Sequence, residues 1–309
     1  MRKEERLKGV CPILPTPYDE NGAVDCESLR REVRFLLRAG VKGIALFGNA
    51  SEAFALTPGE KELIAATVAE ENAGRVPLVF GAGGTGTEPA VENSRWAQAQ
   101  GAELLMIMPP YMIKPDAQRI YEYYAEIARN VEIPIMIQDA PGACGVTIPL
   151  ETILRLADTF ENICYVKAEA PPTFQKAKKI LEASKGRLTV FGGLNGTFFY
   201  EELCVGVSGT MPAGEFPEVM VQVYDRFVSG DKKGAQQLFY RYLPFIRLGS
   251  IPGGMAMAVH KEVLRRGGII RTAKVRNPYI PADEGLLKVL DNTLEELELM
   301  ALSEENGVF

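Results

Sequence analysis

The sequence places a lysine and a glutamate two positions apart at the end of an apolar run, Ile163-Cys-Tyr-Val-Lys167-Ala-Glu169. Residues two apart in a strand project to the same face. An ammonium group among apolar neighbours is desolvated, which favours the free amine, and a free amine can attack a ketone to form a Schiff base. Glu169 is then placed to move a proton on the carbon next to the imine. On spacing alone, a Lys–Glu ion pair without chemistry is the alternative.

Short runs rich in Val, Ile and Leu recur along the chain, with helix-like segments between them. Four of them begin at Val76, Leu104, Ile133 and Ile163, in steps of 28, 29 and 30 residues. This is the length of one strand–helix unit, and strands so uniformly apolar are buried on both faces, as in parallel sheets. Runs at 10–14, 42–47, 188–191 and 205–211 bring the total to eight, the number that closes a barrel.

Helix ends can also be predicted. Asp25 precedes an apolar series at helical spacing, and Thr57-Pro-Gly-Glu60 combines a capping box with proline in the first turn. After Gly230 only helical patterns follow, at 232–243, 252–266 and 282–302. We therefore predict an α/β protein: a (β/α)8 TIM barrel at 1–229 with a small C-terminal helical appendage at 230–309.

A doubly wound open sheet is the alternative fold. No G-x-G-x-x-G follows the first predicted strand, so a dinucleotide site loses its main support. Gly81-Ala-Gly-Gly-Thr-Gly86 lacks the Gly-Lys-Ser/Thr of a phosphate loop and is better interpreted as a tight turn between strand and helix.

Composition excludes several classes of function. The 34 basic and 40 acidic residues are scattered and give a net charge of −6, so neither nucleic acid nor an anionic membrane is expected as a partner. Five cysteines without C-x-x-C spacing favour reduced thiols. The start, Met1 to Arg6, leads into no signal-peptide core, and no apolar run approaches the roughly 20 residues of a membrane helix. A cytoplasmic protein is predicted.

The chain has a single histidine, His260, in a helix-like stretch without a nearby Asp or Ser pattern. Its predicted place is on a helix, at the surface or in the core, without a functional role. Serine and cysteine triads and imidazole-based zinc sites are thereby nearly excluded, and no metal site is predicted.

Several segments together resemble one known family. They are Pro12-Ile-Leu-Pro-Thr-Pro17, Gly43-Ile-Ala-Leu-Phe-Gly48, Ser51-Glu52, Leu56-Thr-Pro-Gly-Glu-Lys61, Pro109-Pro-Tyr111, Ile133-Pro134 and Val166-Lys167. On these residues the chain resembles the dihydrodipicolinate synthase and N-acetylneuraminate lyase family of lysine-dependent barrels, over nearly its whole length. The resemblance implies Lys167 as the imine-forming residue, a homotetramer, and no metal or organic cofactor.

The chain departs from the synthases and aldolases of that family at the fifth strand end. Those enzymes carry a tyrosine there as a proton relay, and here the residue is Gln138. The synthases' threonine pair is replaced by Asn49-Ala50, their second tyrosine by Met112, and their arginine falls at about Ala143. A lysine-biosynthesis synthase is therefore not expected, and retro-aldol chemistry has lost its usual relay.

One branch of the family, the L-2-keto-3-deoxyarabonate dehydratases, is similar at the positions that differ. The shared segments are Asn49-Ala-Ser-Glu52, Met108-Pro-Pro-Tyr111, Ile133-Pro-Ile-Met-Ile-Gln-Asp-Ala-Pro141 and Lys167-Ala-Glu169. Two neighbouring segments differ from the branch, Ala170-Pro171 and Pro212-Ala-Gly-Glu-Phe216. The likeness implies dehydration of a 2-keto-3-deoxy sugar acid. Retro-aldol release of pyruvate, a synthase-like protein, deamination of a cyclic imino acid and a non-catalytic sugar-acid binding protein stay open.

A mechanism follows from these assignments. Lys167 condenses with the C2 ketone, Glu169 removes a C3 proton, and the C4 hydroxyl leaves. Gln138 is expected to orient that hydroxyl without deprotonating it.

Further residues are expected to bind a 2-keto acid substrate. Backbone amides of Asn49, Ala50 and Ser51, with the Ser51 hydroxyl, are predicted to hold its carboxylate. Tyr111 either contacts Glu169 or the leaving oxygen, or packs under its loop. Asn195 and Thr210, near the ends of the last two strands, are candidates for the distal hydroxyls. Glu52 is interpreted as a structural cap and not as a catalyst.

Overall fold

A computed structural model describes residues 6–252 and 254–303, so Met1–Glu5, which belong to the N-terminal segment considered above, lie outside it. Eight strands form one sheet in the order β1-β8-β7-β6-β5-β4-β3-β2, and every pairing is parallel. Ile13 bridges to both Ala45 and Ala213 and so connects the first strand to its neighbours on either side. The predicted (β/α)8 barrel is confirmed.

The strands are short and lie close to the predicted positions. They are β1 (Gly9–Val10), β2 (Ile44–Leu46), β3 (Leu78–Gly81), β4 (Leu104–Ile107), β5 (Ile135–Asp139), β6 (Ile163–Ala168), β7 (Thr189–Gly192) and β8 (Gly209–Thr210). The predicted run 205–211 is shorter than expected, because Val205 ends a helix and Gly206 turns the chain at φ +96°.

Twelve α-helices connect and follow the strands. They are α1 (Cys26–Arg38), α2 (Pro58–Asn72), α3 (Thr87–Ala99), α4 (Ala117–Asn130), α5 (Pro141–Cys144), α6 (Leu150–Thr159), α7 (Thr173–Ser184), α8 (Phe199–Cys204), α9 (Pro217–Val228), α10 (Lys232–Leu248), α11 (Ala256–Arg266) and α12 (Glu284–Leu294), all counted within the described ranges. The predicted caps are confirmed: Asp25 accepts the amides of Glu27 and Ser28, and Thr57 and Glu60 form a capping box.

Helix α10 runs past Pro244, where the predicted segment had ended. Proline removes one backbone hydrogen bond. The next turn nevertheless stays helical because Phe245 and Ile246 are buried in an apolar cluster, and burial of two large side chains outweighs that loss. The predicted segment 282–302 was too long: it is helix α12 followed by a separate 3-10 turn, Met300–Leu302.

Two apolar layers support the barrel. Side chains of alternate strand positions, such as Val79, Met106, Met136 and Met211, fill the interior, and a larger cluster lies between strands and helices. Because the interior side chains close the barrel from within, polar groups are confined to the strand ends.

The C-terminal helices pack on the barrel through a cluster of their own. Phe239, Phe245 and Val259 contact Phe199 and Phe216 of the barrel in it. A buried ion pair between Lys261 and Glu52 also connects the C-terminal helices to the barrel. The Arg276 amide donates to the other Glu52 oxygen at 2.7 Å. The division at residue 230 stays a prediction, with the two parts sharing this packing.

None of the helices within 6–252 and 254–303 is long and apolar enough to cross a bilayer. Nor do these residues bring three or more His, Cys, Asp or Glu side chains together in an arrangement that holds a metal ion.

Candidate active site

A cavity of about 550 Å³ opens at the carboxyl ends of the strands. Its polar lining includes Gln138, Lys167 and Glu169 from β5, β6 and the residue after β6. A second space of about 580 Å³ adjoins it. The two share the residues Asn49, Gln138, Gly142, Ala143, Gly254 and Tyr279, so they form one continuous cleft. In (β/α)8 barrels, reactions take place at this end.

Lys167 is fixed in the middle of this cavity. It pairs in register with Gln138 of β5 and with Phe191 of β7, and its side chain is 2% exposed. The Nζ atom lies 3.4 Å from Oε1 of Glu169. The amine and the carboxylate therefore lie on one face of the strand end, as predicted, and this face lines the cavity.

Glu169 is held by two donors. Gln138 Nε2 donates to its Oε2 at 2.8 Å, and the backbone amide of Leu194 donates to its Oε1 at 3.0 Å. A carboxylate only accepts, so the Gln138 nitrogen must face Glu169 and its carbonyl oxygen is left for another donor. The carboxylate is thus oriented toward Lys167 before any substrate enters.

Gly193 provides the space that Glu169 occupies. A Cβ atom at Gly193 would lie 2.3 Å from Oε1 of Glu169, well inside contact distance. Gly193→Ala should therefore displace the carboxylate and lower kcat by about 10²-fold, the usual cost of a misplacement near 1 Å. Gly142→Ala is the matched control, because Gly142 also lines the cavity and a Cβ there meets nothing within 4 Å. Steady-state rates of the two variants test this, and equal rates would contradict it.

Behind the strand end lies a second buried carboxyl group, Glu202 of α8. Thr173 donates to its Oε1 at 2.6 Å, and its Oε2 has no hydrogen-bond partner among the described residues. Burial, and to a smaller extent the negative charge of Glu169, raise the pKa of Glu202 to about 7 against the opposing hydrogen bond from Thr173. Glu202 is therefore a carboxyl group that takes up a proton near neutral pH.

Glu202→Gln should remove a pH dependence of stability. Because the folded-state pKa of Glu202 is above its unfolded value of 4.5, this group stabilises the fold below pH 4.5 and loses that contribution as pH rises through about 7. The free energy of unfolding of the variant, relative to wild type, should increase by ~3 kcal/mol between pH 4.5 and 8.5. Denaturant titrations at both pH values measure it, and a difference that stays constant with pH would refute it.

The turn after β2 differs in part from the prediction. Asn49–Ser51 forms a 3-10 turn, whose first amides have no acceptor within the turn, and Asn49 and Ala50 line the cavity. The Ser51 hydroxyl does not face it: Ser51 is buried, and its Oγ donates to the Leu14 carbonyl at 2.7 Å. The Ser51 amide is engaged as well, donating to the Gly48 carbonyl at 3.1 Å. The expectation that the amide and hydroxyl of Ser51 bind a substrate carboxylate is therefore corrected.

Thr210 is a second correction. Its neighbour Met211 packs inside the barrel, so by strand alternation Thr210 points outward to the helix layer. Thr210 is fully buried and lines neither cavity. The position of Thr210 near the strand end did not by itself indicate whether Thr210 or Met211 faces inward.

Tyr111 and Asn195 are only partly where they were expected. Tyr111 lines the adjoining space and not the cavity around Lys167. Asn195 does line that cavity, in a left-handed conformation at φ +53°, but its amide is engaged, donating to Glu215 and accepting from the Ala213 amide at 2.9 Å. Glu52 stands at the N-cap position of a 3-10 turn, Ala53–Ala55, as predicted, but its side chain makes no cap hydrogen bond and is instead the buried partner of Lys261.

Two titratable residues of the cavity had been given no functional role from the sequence, and both belong to the C-terminal segment. His260 of α11 and Tyr279 line the same cavity as Lys167. Tyr279 donates to the Asn49 carbonyl at 3.1 Å, and burial raises its pKa to about 12, so its hydroxyl stays protonated. Both residues are roughly a hundred positions from Lys167, so no local sequence pattern indicated that they lie in the cavity. The only hint was that His260 is the single histidine of the chain.

Comparison with known proteins agrees with this geometry. The model of a family described as the dihydrodipicolinate synthetase family matches residues 6–297. L-2-keto-3-deoxyarabonate dehydratase of Azospirillum brasilense is 31% identical over 278 residues, 88% of this chain and 89% of that protein. 4-Hydroxy-tetrahydrodipicolinate synthase of Chlorobaculum parvum is 31% identical over 296 residues, covering 95% and 98%. The crystal structure of a dihydrodipicolinate synthase from Thermotoga maritima superimposes with a TM-score of 0.88 at 27% identity, covering 94% of this chain and 98% of that one.

Proposed function

Since the chain belongs to the dihydrodipicolinate synthetase family and is a lyase, we propose that it dehydrates a 2-keto-3-deoxy sugar acid through a Schiff base on Lys167. The preferred substrate in this proposal is L-2-keto-3-deoxyarabonate, and the product is 2-oxoglutarate semialdehyde. One observation carries it: a buried amine lies 3.4 Å from a carboxylate whose other oxygen is bound by Gln138.

The reaction begins at the amine. Lys167 Nζ adds to the C2 ketone and water is lost, giving a protonated imine that makes the C3 protons acidic. Glu169, next to Nζ, removes one of them. The C4 hydroxyl then leaves with a proton from the same carboxyl group or from a water that it holds. Elimination leaves a C3=C4 double bond conjugated with the imine. Loss of a proton from C5 and protonation at C3 convert it into a C4=C5 enol. Tautomerisation of this enol to the aldehyde and hydrolysis of the imine release the product and free Lys167.

Gln138 favours dehydration over aldol cleavage. Cleavage between C3 and C4 needs a base for the C4 hydroxyl proton, and an amide is not one. In this position its nitrogen is bound to Glu169, so its carbonyl oxygen can accept from the C4 hydroxyl and turn that oxygen's lone pairs toward Glu169. The cavity's tyrosine, Tyr279, stays protonated and donates to the main chain, so it does not replace the missing base.

The charge of the lining favours a substrate with one carboxylate. Around Lys167 the described lining contains no arginine and no second lysine, and Ala143 stands where the synthases have their arginine. A second carboxylate bound beside Lys167 would therefore lack a cationic partner, because the other lysine of the cleft lining, Lys61, belongs to the adjoining space. The single carboxylate is assigned to the first amides of the Asn49–Ser51 turn, Asn49 and Ala50, which line the same cavity.

The test is to incubate the protein with a panel of 2-keto-3-deoxy acids of five and six carbons and follow the mass of the products. Loss of one water without release of pyruvate is expected. Pyruvate in a coupled lactate dehydrogenase assay would show a retro-aldol lyase instead, and ammonia from a cyclic imino acid would show a deaminase. Absence of any borohydride-trapped adduct on Lys167 would favour a non-catalytic binding protein.

Assembly into a homotetramer is part of the proposal. The loop after β4 exposes Met112 by 73% and Ile113 by 80%, and exposed apolar side chains of this kind favour contact with another subunit. Light scattering should give four times the mass of one chain.

A cytoplasmic location is proposed as well, because all five cysteines are free thiols.

A further inference from the structure

A second polar group lines the cavity, apart from the residues that carry the reaction. It consists of His260, Glu215 and Asn195, here called the distal cluster. Nδ1 of His260 lies 2.7 Å from Oε1 of Glu215, and Asn195 Nδ2 donates to the same oxygen at 3.4 Å. His260 and Asn195 line the cavity, whereas Glu215 is fully buried behind them.

The orientation of the imidazole follows from its partner. An ionised carboxylate only accepts hydrogen bonds, so Nδ1 carries the proton and donates to Glu215. In the neutral ring, Nε2 then carries the lone pair. This Nε2 has no hydrogen-bond partner among the residues that the structure describes. Because the atom is also not fully buried and His260 lines the cavity, Nε2 is open to the cavity.

The distal cluster is held rigidly. The Ala213 amide donates to Oδ1 of Asn195 at 2.9 Å, which fixes the side-chain amide with its nitrogen toward Glu215. Gly249 lies against all three members: a Cβ atom there would be 2.2 Å from Asn195 Nδ2, 2.9 Å from His260 Cε1 and 3.2 Å from Glu215 Oε1. A ring fixed in this way loses little conformational entropy when it binds a ligand.

The cavity beside the distal cluster also has two hydroxyl groups among mainly apolar lining residues. Thr197 and Ser250 line it, and their hydroxyl oxygens lie 2.8 Å apart. Such a surface matches hydroxyl groups. An acceptor nitrogen held by a buried carboxylate recognises a hydroxyl because leaving that nitrogen unpaired in the bound complex costs free energy.

We propose that His260 is a specificity-determining residue whose Nε2 accepts a hydrogen bond from a hydroxyl of the substrate beyond C3, with Glu215 as its positioning residue. The inference rests on the proposed function in taking the substrate to be a 2-keto acid bound at Lys167. It goes further in assigning the distal hydroxyls to the C-terminal segment and not to Thr210, which faces outward.

The chain offers a matched pair of variants. In His260→Asn, the amide nitrogen takes the place of Nδ1 and still donates to Glu215, but Nε2 is gone. In His260→Gln, the terminal amide lies near the place of Nε2 and can present an acceptor. Pyruvate, which ends at C3, serves as the control ligand, and borohydride trapping at Lys167 measures its half-saturation and that of the five- and six-carbon acids.

His260→Asn should raise the half-saturation of the longer acids about tenfold, the effect of one lost hydrogen bond, and leave that of pyruvate within about twofold. His260→Gln should recover part of the loss. Equal changes for pyruvate and the longer acids, or no change for either, would overturn the proposal. Trapping needs no dehydration, so this result stands even if the proposed reaction is wrong.

A second measurement uses the unaltered protein. Because His260 is the single histidine of the chain, its ring Cε1–H signal is unique in a protein labelled with ¹³C-histidine. The signal should shift when a longer 2-keto-3-deoxy acid is trapped on Lys167 and stay in place with pyruvate. The same shift with both ligands, or none with either, would contradict contact at the distal end.

Discussion

Replacing Lys167 by methionine should abolish turnover and, in the same protein, abolish covalent capture of pyruvate by borohydride. Methionine is unbranched and flexible, and the barrel interior below Lys167 already contains Met106, Met136 and Met211, so the fold should tolerate it. Without Nζ no imine forms, and the acidity of the C3 protons is lost with it. Mass spectrometry of the reduced protein and initial rates measure the two effects.

Lys176→Met is the matched control. Lys176 also forms an ion pair, with the buried Asp139 at the end of β5, but it is partly exposed and lines neither part of the cleft. This variant should still be trapped by pyruvate. An adduct that persists in Lys167→Met, on any other lysine, would contradict the assignment of the nucleophile.

Glu169→Gln should lower turnover by roughly 10²–10⁴-fold and leave the yield of the pyruvate adduct largely unchanged. The variant keeps the shape of the side chain and can still accept from the Leu194 amide, and Gln138 can turn its own amide to match. What it loses is the group that takes a proton from C3. Imine formation at Lys167 does not depend on that proton.

Exchange in heavy water separates the role of Glu169 from a general loss of structure. Wild-type protein should exchange the methyl protons of pyruvate with deuterium, because the imine makes them acidic and Glu169 removes them. In Glu169→Gln this exchange should fall with turnover. If exchange stays at the wild-type rate, another base acts at C3, and if the adduct is lost as well, Glu169 does not have the role proposed.

The sequence was sufficient where chemistry and periodicity coincide. Eight apolar runs, four of them evenly spaced, predicted all eight strands, and the period of two within a strand placed Lys167 and Glu169 together. Local rules also predicted the helix starts at Asp25 and Thr57, because a capping side chain contacts backbone only two or three residues away.

It was insufficient where side-chain direction depends on contacts far along the chain. Ser51 and Thr210 are polar residues near strand ends. Only the hydrogen bond from Ser51 to the Leu14 carbonyl and the packing of Met211 show that neither hydroxyl faces the cavity. His260 and Tyr279 enter the cavity from a segment that folds back over the barrel, and no local pattern encodes that return. Long-range burial of this kind is a property of the closed fold.

The sharing of one cavity between strand ends and the C-terminal segment has a consequence for divergence. The reacting groups are fixed by the sheet. His260, Ser250 and Tyr279 instead lie in the C-terminal segment, which can be substituted without altering the strands that carry the reacting groups. Related enzymes can therefore change their substrate preference through substitutions in the C-terminal segment. For an engineer, a library confined to Ser250, Met257 and His260, which line the cavity, should change the preference among sugar acids at little risk to the reacting groups.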